Sequence, residues 1–207
     1  AIGDDANAGT AAAPFLTITK AVNTAVDGTK IWVDAGTFQE QVSINKTLDV
    51  TGVSRDLTNV KAPATLSTLP WHSGNSNPIV YASGNANTVN ISKLAIDGDG
   101  GRSIDNYVGM LYYEANGTFD LCKVSGIHDA TSFTGAQRGH AYYGSHAGTM
   151  TQTLNITNNI IEDYQKGGIY VRGDGTSATI TGNTVTGQNT PLVNGQNGIV
   201  VMMGAVG

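Results

Sequence analysis

The chain has 207 residues, long enough for one ordinary domain with a real core, and an uncommon composition of 27 glycines, 13 % charged residues and abundant Asn and Thr. Its 11 Lys and Arg face 16 Asp and Glu, for a formal net charge of -5, which argues against nucleic acid or an anionic membrane as main partner because phosphate binding needs clustered cations. No apolar run approaches the roughly 18 residues of a membrane span, so no membrane insertion is expected, and the single Cys122 excludes an internal disulfide framework or a cysteine zinc site.

The chain opens on Ala-Ile-Gly-Asp-Asp, without Met or a signal-like stretch. From Ala13 to Ala25, Phe15, Ile18, Val22 and Ala25 fall at helical spacing and predict a short amphipathic helix. From Thr29 onward the pattern changes to short β-branched runs broken by Gly, Asn and Asp, such as Lys30-Ile31-Trp32-Val33, Val42-Ser43-Ile44 and Leu48-Asp49-Val50. At the far end Asn197 to Val201 begins a strand just before the chain stops, so a C-terminal continuation or cap is expected. The domain reading is one β domain over 1–207, with an N-terminal segment and helix in 1–28 and repeats in 29–207, as an N-terminal fragment of a longer protein.

Internal periodicity decides the architecture. A Gly- or Pro-led strand recurs at Ile79-Val80-Tyr81, Met110-Leu111-Tyr112, Ala141-Tyr142-Tyr143, Ile169-Tyr170-Val171 and Ile199-Val200-Val201. A second recurs at Val89-Asn90-Ile91, Phe119-Asp120-Leu121, Leu154-Asn155-Ile156 and Ala178-Thr179-Ile180. A third, very short, recurs at Ala95-Ile96, Gly126-Ile127, Ile160-Ile161 and Thr184-Val185. Three strands per unit, with units about 24 to 35 residues apart, predict an all-β solenoid: a right-handed parallel β-helix of about six coils with a capping helix. Stacked coils share a core that no single coil could bury. Asn159 and Asn183, three residues after Ile156 and Ile180, are expected to stack as an internal pair, and Cys122 to be a buried packing residue.

Pro14-Phe15-Leu16-Thr17-Ile18, Asp27 to Val33, Ala35 to Glu40, Leu48 to Gly52 and the later Ile180 to Val185 resemble the pectin-lyase-like superfamily, in particular β-helix proteins of bacterial surfaces. The resemblance covers nearly the whole chain and implies the fold. It does not single out an activity, because the group holds lyases, hydrolases, esterases, adhesins and viral spikes. The paired aspartates and Gly-Arg-Pro-Trp segment of pectin methylesterases, the Asn-Thr-Asp and Gly-His-Gly motifs of polygalacturonases and the Arg-x-Pro-x-x-Arg loop of pectate lyases do not occur in the sequence.

Aligning the third strands puts Asp97, His128 and Glu162 one residue past Ile96, Ile127 and Ile161, with Asp129 and Asp163 next. Carboxylates stacked roughly 5 Å apart repel unless a cation or a shared proton intervenes. Asp97, Asp129, Glu162 and Asp163 are therefore a candidate calcium (Ca²⁺) set, and the same column also reads as a solvated acidic turn. Beside it, His128 to Met150 carries Arg138, His140, Tyr142, Tyr143 and His146, with Lys166, Tyr170 and Arg172 on the next coil. Rings with guanidinium and imidazole groups suit sugars and uronate carboxylates. The threonines form no single regular Thr-x-Thr column in this alignment. The favoured expectation is a non-catalytic module of a secreted or cell-surface protein, a stiff spacer with an adhesive or glycan-binding face, with further domains of the same chain as its neighbours. The alternative is a polysaccharide lyase or hydrolase using Asp97, His128 and Glu162 with Arg138, Lys166 and Arg172.

Overall fold

Short β-branched segments separated by tight turns wind into six coils in a computed structural model, which describes residues 2–129, 138–148, 150–187 and 195–207. The first coil is β1 (Thr29–Val33), β2 (Gly36–Gln39) and β3 (Val42–Ile44). The second is β4 (Leu48–Gly52), β5 (Thr58–Lys61) and β7 (Gly74–Ser83), with β6 (Leu69–Trp71) inserted before β7. The third is β8 (Thr88–Ser92), β9 (Ala95–Asp97) and β10 (Tyr107–Tyr113), and the fourth β11 (Asn116–Asp120), β12 (Lys123–Ser125) and β13 (His140–Ser145). The fifth is β14 (Gln152–Thr157), β15 (Ile160–Glu162) and β16 (Gly167–Arg172), and the sixth β17 (Thr176–Thr181), β18 (Thr184–Thr186) and β19 (Asn197–Met202).

Each position of the coil stacks on its counterpart to give three sheets. Sheet one runs β1-β4-β8-β11-β14-β17, sheet two β2-β5-β9-β12-β15-β18, and sheet three β3-β7-β10-β13-β16-β19. All pairings along these paths are parallel; β6 on β7 is an antiparallel hairpin at the flank. The protein is a right-handed parallel β-helix, as the repeat pattern predicts.

The core is a stack of inward rows. One runs Val42, Val80, Met110, Tyr142, Ile169 and Ile199 through sheet three, and its first five members are buried. The helix is shorter than the spacing predicts: α1 covers Ile18–Thr24, with Ile18 and Val22 buried against the first coil. The turns and bends before it are tied down by Asp5, which accepts the backbone N–H groups of Leu16 and Thr17 and the Thr17 hydroxyl. Thr17 then caps the helix by accepting from Lys20 N–H, and Glu40 accepts from Ile18 and Thr19 N–H. Three of the free donors of a helix start are thereby satisfied.

The turn from sheet one to sheet two is two residues long in coils three to six. Its first residue has positive φ: Lys93 (58°), Leu121 (52°), Asn158 (55°) and Gly182 (67°). The second place holds Leu94, Cys122, Asn159 and Asn183. The expected asparagine pair forms, with Asn159 Nδ2 donating to Asn183 Oδ1 at 2.9 Å and to Phe119 O at 2.8 Å. Asn159 Oδ1 accepts from Cys122 N–H at 2.9 Å, and Asn183 Nδ2 donates to Ile156 O at 2.7 Å. Cys122 is buried at the same place, and burial pushes its thiol up to about 12, so it packs rather than reacts.

Two registers differ from the sequence alignment. In sheet one, Phe119 pairs with Ile91 and Ile156, and Gly117 stands level with Val89 and Leu154. Leu121 belongs to the turn and is partly exposed. In sheet two, Val124 pairs with Ile96 and Ile161, so Ile127 lies three residues beyond the strand position assigned to it.

Candidate functional site

That three-residue difference takes the acidic column apart. Asp97 is level with Ser125, not His128, and Glu162 lies past Ile161, whose partner is Val124. His128 follows the Ile127–Tyr164 bridge and places Nε2 3.2 Å from Asp163 Oδ2 and Nδ1 2.8 Å from Asp129 O. The acidic groups have partners within the chain. Glu162 pairs with Lys123 at 2.7 Å, and Asp97 accepts the N–H of Asp99 at 2.8 Å. Asp129 is buried, bonded to Arg138 Nη1 at 3.0 Å and to the Gln165 side chain through both its backbone and its carboxylate. The proposed calcium set of Asp97, Asp129, Glu162 and Asp163 does not assemble. Among the described residues no three His, Cys, Asp or Glu side chains come together as a metal-holding group.

The ring-rich segment expected over His128–Met150 lies partly outside the described residues, at 130–137 and 149. The rest is more buried than a ligand surface requires. Tyr142 points into the core between Tyr112 and Phe119. His146 is buried, with neither ring nitrogen hydrogen-bonded among the described residues. Arg138, expected to face ligand, bridges Asp105 at 2.7 Å and Asp129, and these two carboxylates raise its pKa. These three leave the candidate surface for separate reasons: Tyr142 is an inward position of β13, His146 is buried, and Arg138 is engaged by two carboxylates.

Tyr143, Tyr170 and His140 remain together on the outer side of sheet three, where the β6–β7 hairpin brings Trp71 and His72 over them. His72 stacks on Tyr143 (centroids 5.5 Å, 10° between planes) and Tyr143 on Tyr170 (5.5 Å, 24°). Trp71 meets Tyr143 edge-on at 4.8 Å and His140 meets Tyr170 at 4.8 Å. Asn197 Nδ2 donates to the Tyr170 hydroxyl at 2.8 Å, and the positive charge of Arg172 acts on the Tyr143 hydroxyl. Burial, reinforced by nearby cations, pushes His140 down to about 3 and His72 down to about 4, so both rings are neutral near pH 7. Trp71 Nε1, His72 Nδ1 and His140 Nδ1 are buried and have no hydrogen-bond partner among the described residues. Arg172 and Lys166, both half-buried, set a positive edge beside the rings.

Trp71 and His72 were not singled out in the sequence. The signal was there: Pro70-Trp71-His72 places two rings in an insertion that the strand pattern leaves outside the coil.

The fold and this flank define a β-helix with a ring-lined, cation-edged outer face on sheet three. A family model described as a protein of unknown function (DUF1565) matches residues 1–62. No curated protein matches the chain. Among solved structures, a pectin methylesterase variant in complex with a hexasaccharide is 12 % identical, with TM-score 0.47, over 84 % of this chain and 65 % of its own. The pectin methylesterase PemA from Erwinia chrysanthemi is 13 % identical, with TM-score 0.46, over 88 % and 65 %. A third, a pectin methylesterase with another hexasaccharide, is 14 % identical, with TM-score 0.43, over 84 % and 65 %. This chain thus spans 65 % of the length of the solved structures it matches, and a likeness at this level says nothing of activity. No helix among the described residues is long and apolar enough to cross a membrane.

Proposed function

We propose that this chain is a polysaccharide-binding β-helix of a secreted or cell-surface protein, not itself catalytic, holding an acidic glycan beside Arg172 on the outer face of sheet three. The observation that carries this reading is the set of ring nitrogens on Trp71, His72 and His140 that lack partners among the described residues, next to the Arg172 and Lys166 cations. A buried polar atom without a partner costs about 1–3 kcal/mol, and a sugar hydroxyl or uronate carboxylate supplies the missing partner. The guanidinium adds a charge-assisted bond to that carboxylate, and His72, partly exposed on top of the buried Tyr143, offers its outer ring face. The non-catalytic part is supported by the ion pairs that occupy Glu162 and Asp129.

Affinity electrophoresis in polygalacturonate tests the reading. Retardation is expected for the native chain and loss of it for Arg172→Ala and His72→Ala, with melting temperature as the control for folding. Unaltered retardation in both variants sinks the site. A second reading, lyase or hydrolase, is favoured by the contact of His128 Nε2 with Asp163, a histidine–carboxylate arrangement that can relay a proton. It requires new reducing ends or unsaturated products to appear and to vanish in His128→Ala.

A further inference from the structure

The register that dismantles the acidic column builds something else on sheet one. The outward positions of β8 are Thr88, Asn90 and Ser92, and those of β11 are Asn116, Thr118 and Asp120. Those of β14 are Thr153, Asn155 and Thr157, and those of β17 are Ser177, Thr179 and Thr181. They stack in straight columns: Thr88 on Asn116, Asn90 on Thr118 on Asn155 on Thr179, and Ser92 on Asp120 on Thr157 on Thr181. Every one is a short Thr, Ser, Asn or Asp, and Asp120 alone is charged. The last two columns continue through Asp49 and Thr51 of β4 to Lys30 and Trp32 of β1. Trp32 ends its column and is 77 % exposed.

The face is also pre-ordered. Asn90 Nδ2 donates to Asp49 at 2.8 Å, Thr51 and Ser92 hydroxyls meet at 3.1 Å, and Asp120 accepts from Thr157 at 2.6 Å and Asn158 at 2.9 Å. Rows about 4.8 Å apart, with side chains roughly 7 Å apart along each strand, make a plane of short side chains, bounded on its sheet-two edge by Arg55, whose Nη1 donates to Asn158 O at 2.8 Å.

We infer that this plane is a docking track for an extended, neutral polysaccharide lying along the solenoid axis, with Trp32 stacking on a sugar ring at its end. Charge complementarity selects the occupant. Nucleic acid and anionic membranes need clustered Lys and Arg, and β8, β11, β14 and β17 present none outward. Protein interfaces concentrate aromatic, Met and Arg residues and are depleted in Ser and Asp, the reverse of this face. An ordinary solvated surface is about 25–35 % Lys, Arg, Glu and Asp, far above what these strands carry. A hydroxyl-rich, uncharged polymer matches such a plane by exchanging hydrogen bonds, and preordering reduces the entropy lost on binding. Thr, Ser, Asn and Asp alternate without a fixed repeat, which suits a polymer rather than a strictly periodic lattice. The surface is separate from Arg172 and selects a neutral rather than an acidic polymer, so it stands or falls independently of the acidic-glycan site.

The test uses affinity electrophoresis and tryptophan emission of the full chain with hydroxyethyl cellulose and glucomannan. Retardation and a shift in emission are expected, the shift persisting in Trp71→Phe, where Trp32 is the remaining tryptophan. Thr118→Arg and, at the more exposed edge, Thr179→Arg place a bulky cation on the plane. Each is expected to weaken retention at least tenfold without moving the melting temperature, and Trp32→Ala to weaken it several-fold. Arg172→Ala is expected to retain neutral binding. The inference is overturned if neither polymer retards the chain, if both arginine variants bind like the native chain, or if Arg172→Ala abolishes binding.

Discussion

His140 shows how one side chain ties the flank of sheet three to pH. Its ring sits among Trp71, Tyr143 and Tyr170, and burial holds its pKa at about 3, while His72 is held at about 4. Unfolded, both titrate at about 6.5. Above that value neither state binds the proton, and the contribution to stability is fully present. As pH falls from about 6.5 toward 3 the unfolded chain takes up protons that the folded chain refuses, so stability falls. For the buried His140 the loss is on the order of a few kcal/mol. Melting temperatures between pH 7 and 4 are expected to drop more steeply in the native chain than in His140→Leu; parallel curves would contradict the assignment. Gly117 makes a steric point at the same scale. A Cβ there would lie 1.8 Å from Val89 O and 3.0 Å from the Tyr112 ring. Gly117→Ala is therefore expected to destabilise by more than about 2 kcal/mol in chemical denaturation. The same geometry explains why the register of β11 was illegible. Tyr112, whose hydroxyl donates to Val89 O at 2.8 Å and Thr118 O at 3.0 Å, fills the space that Val89 and Leu154 occupy elsewhere. The inward residue beside it had to be glycine, and the apolar pattern appeared to start two residues late.

At the scale of elements, the short turns carry the alignment of the coils. Asn159 is buried and engages Cys122 N–H, Phe119 O and Asn183. Asn159→Ala removes all three contacts and leaves a buried N–H unpaired, a loss expected at about 2–4 kcal/mol. Asn183 lies nearer the surface, where water can replace its bonds, so Asn183→Ala should cost less; equal losses in denaturant titrations would refute the ladder as a graded support. The asparagine pair was legible because both residues follow an Ile by three positions. Its continuation was not, because Cys122 and Leu94 occupy the same place with different chemistry. Leu121 then read as a strand residue although it sits at φ 52°. Once that turn is misplaced, the next strand shifts from Val124 to Ile127, and with it the whole candidate column of Asp97, His128 and Glu162. The sheet-three face was partly legible: Tyr143, Tyr170 and Arg172 were recognised by composition, while the hairpin that brings Trp71 and His72 over them depends on a long-range fold-back.

Across the whole molecule, stability is distributed coil by coil, since each coil touches chiefly its neighbours. Central rows such as Met110, Tyr142 and Ile169 are fully buried, whereas Ile199 of β19 is 51 % exposed. The first coil is also terminal in its sheets, yet Ile31, Val33, Val42 and Ile44 are buried because α1 lays Ile18 and Val22 across them. Local opening free energies should follow this order. Amide exchange is expected to be slowest in β10, β11 and β13, intermediate in β1 and β3, and fastest in β19. Ile18→Ala removes a buried side chain from the cap, at a cost of about 2–4 kcal/mol. In a solenoid that cost falls first on the coil beneath the cap, so exchange should accelerate in β1, β3 and β4 while β14 and β16 keep their native rates. A uniform acceleration through all six coils would mean that the molecule opens as one cooperative unit, and the coil-by-coil account would fail.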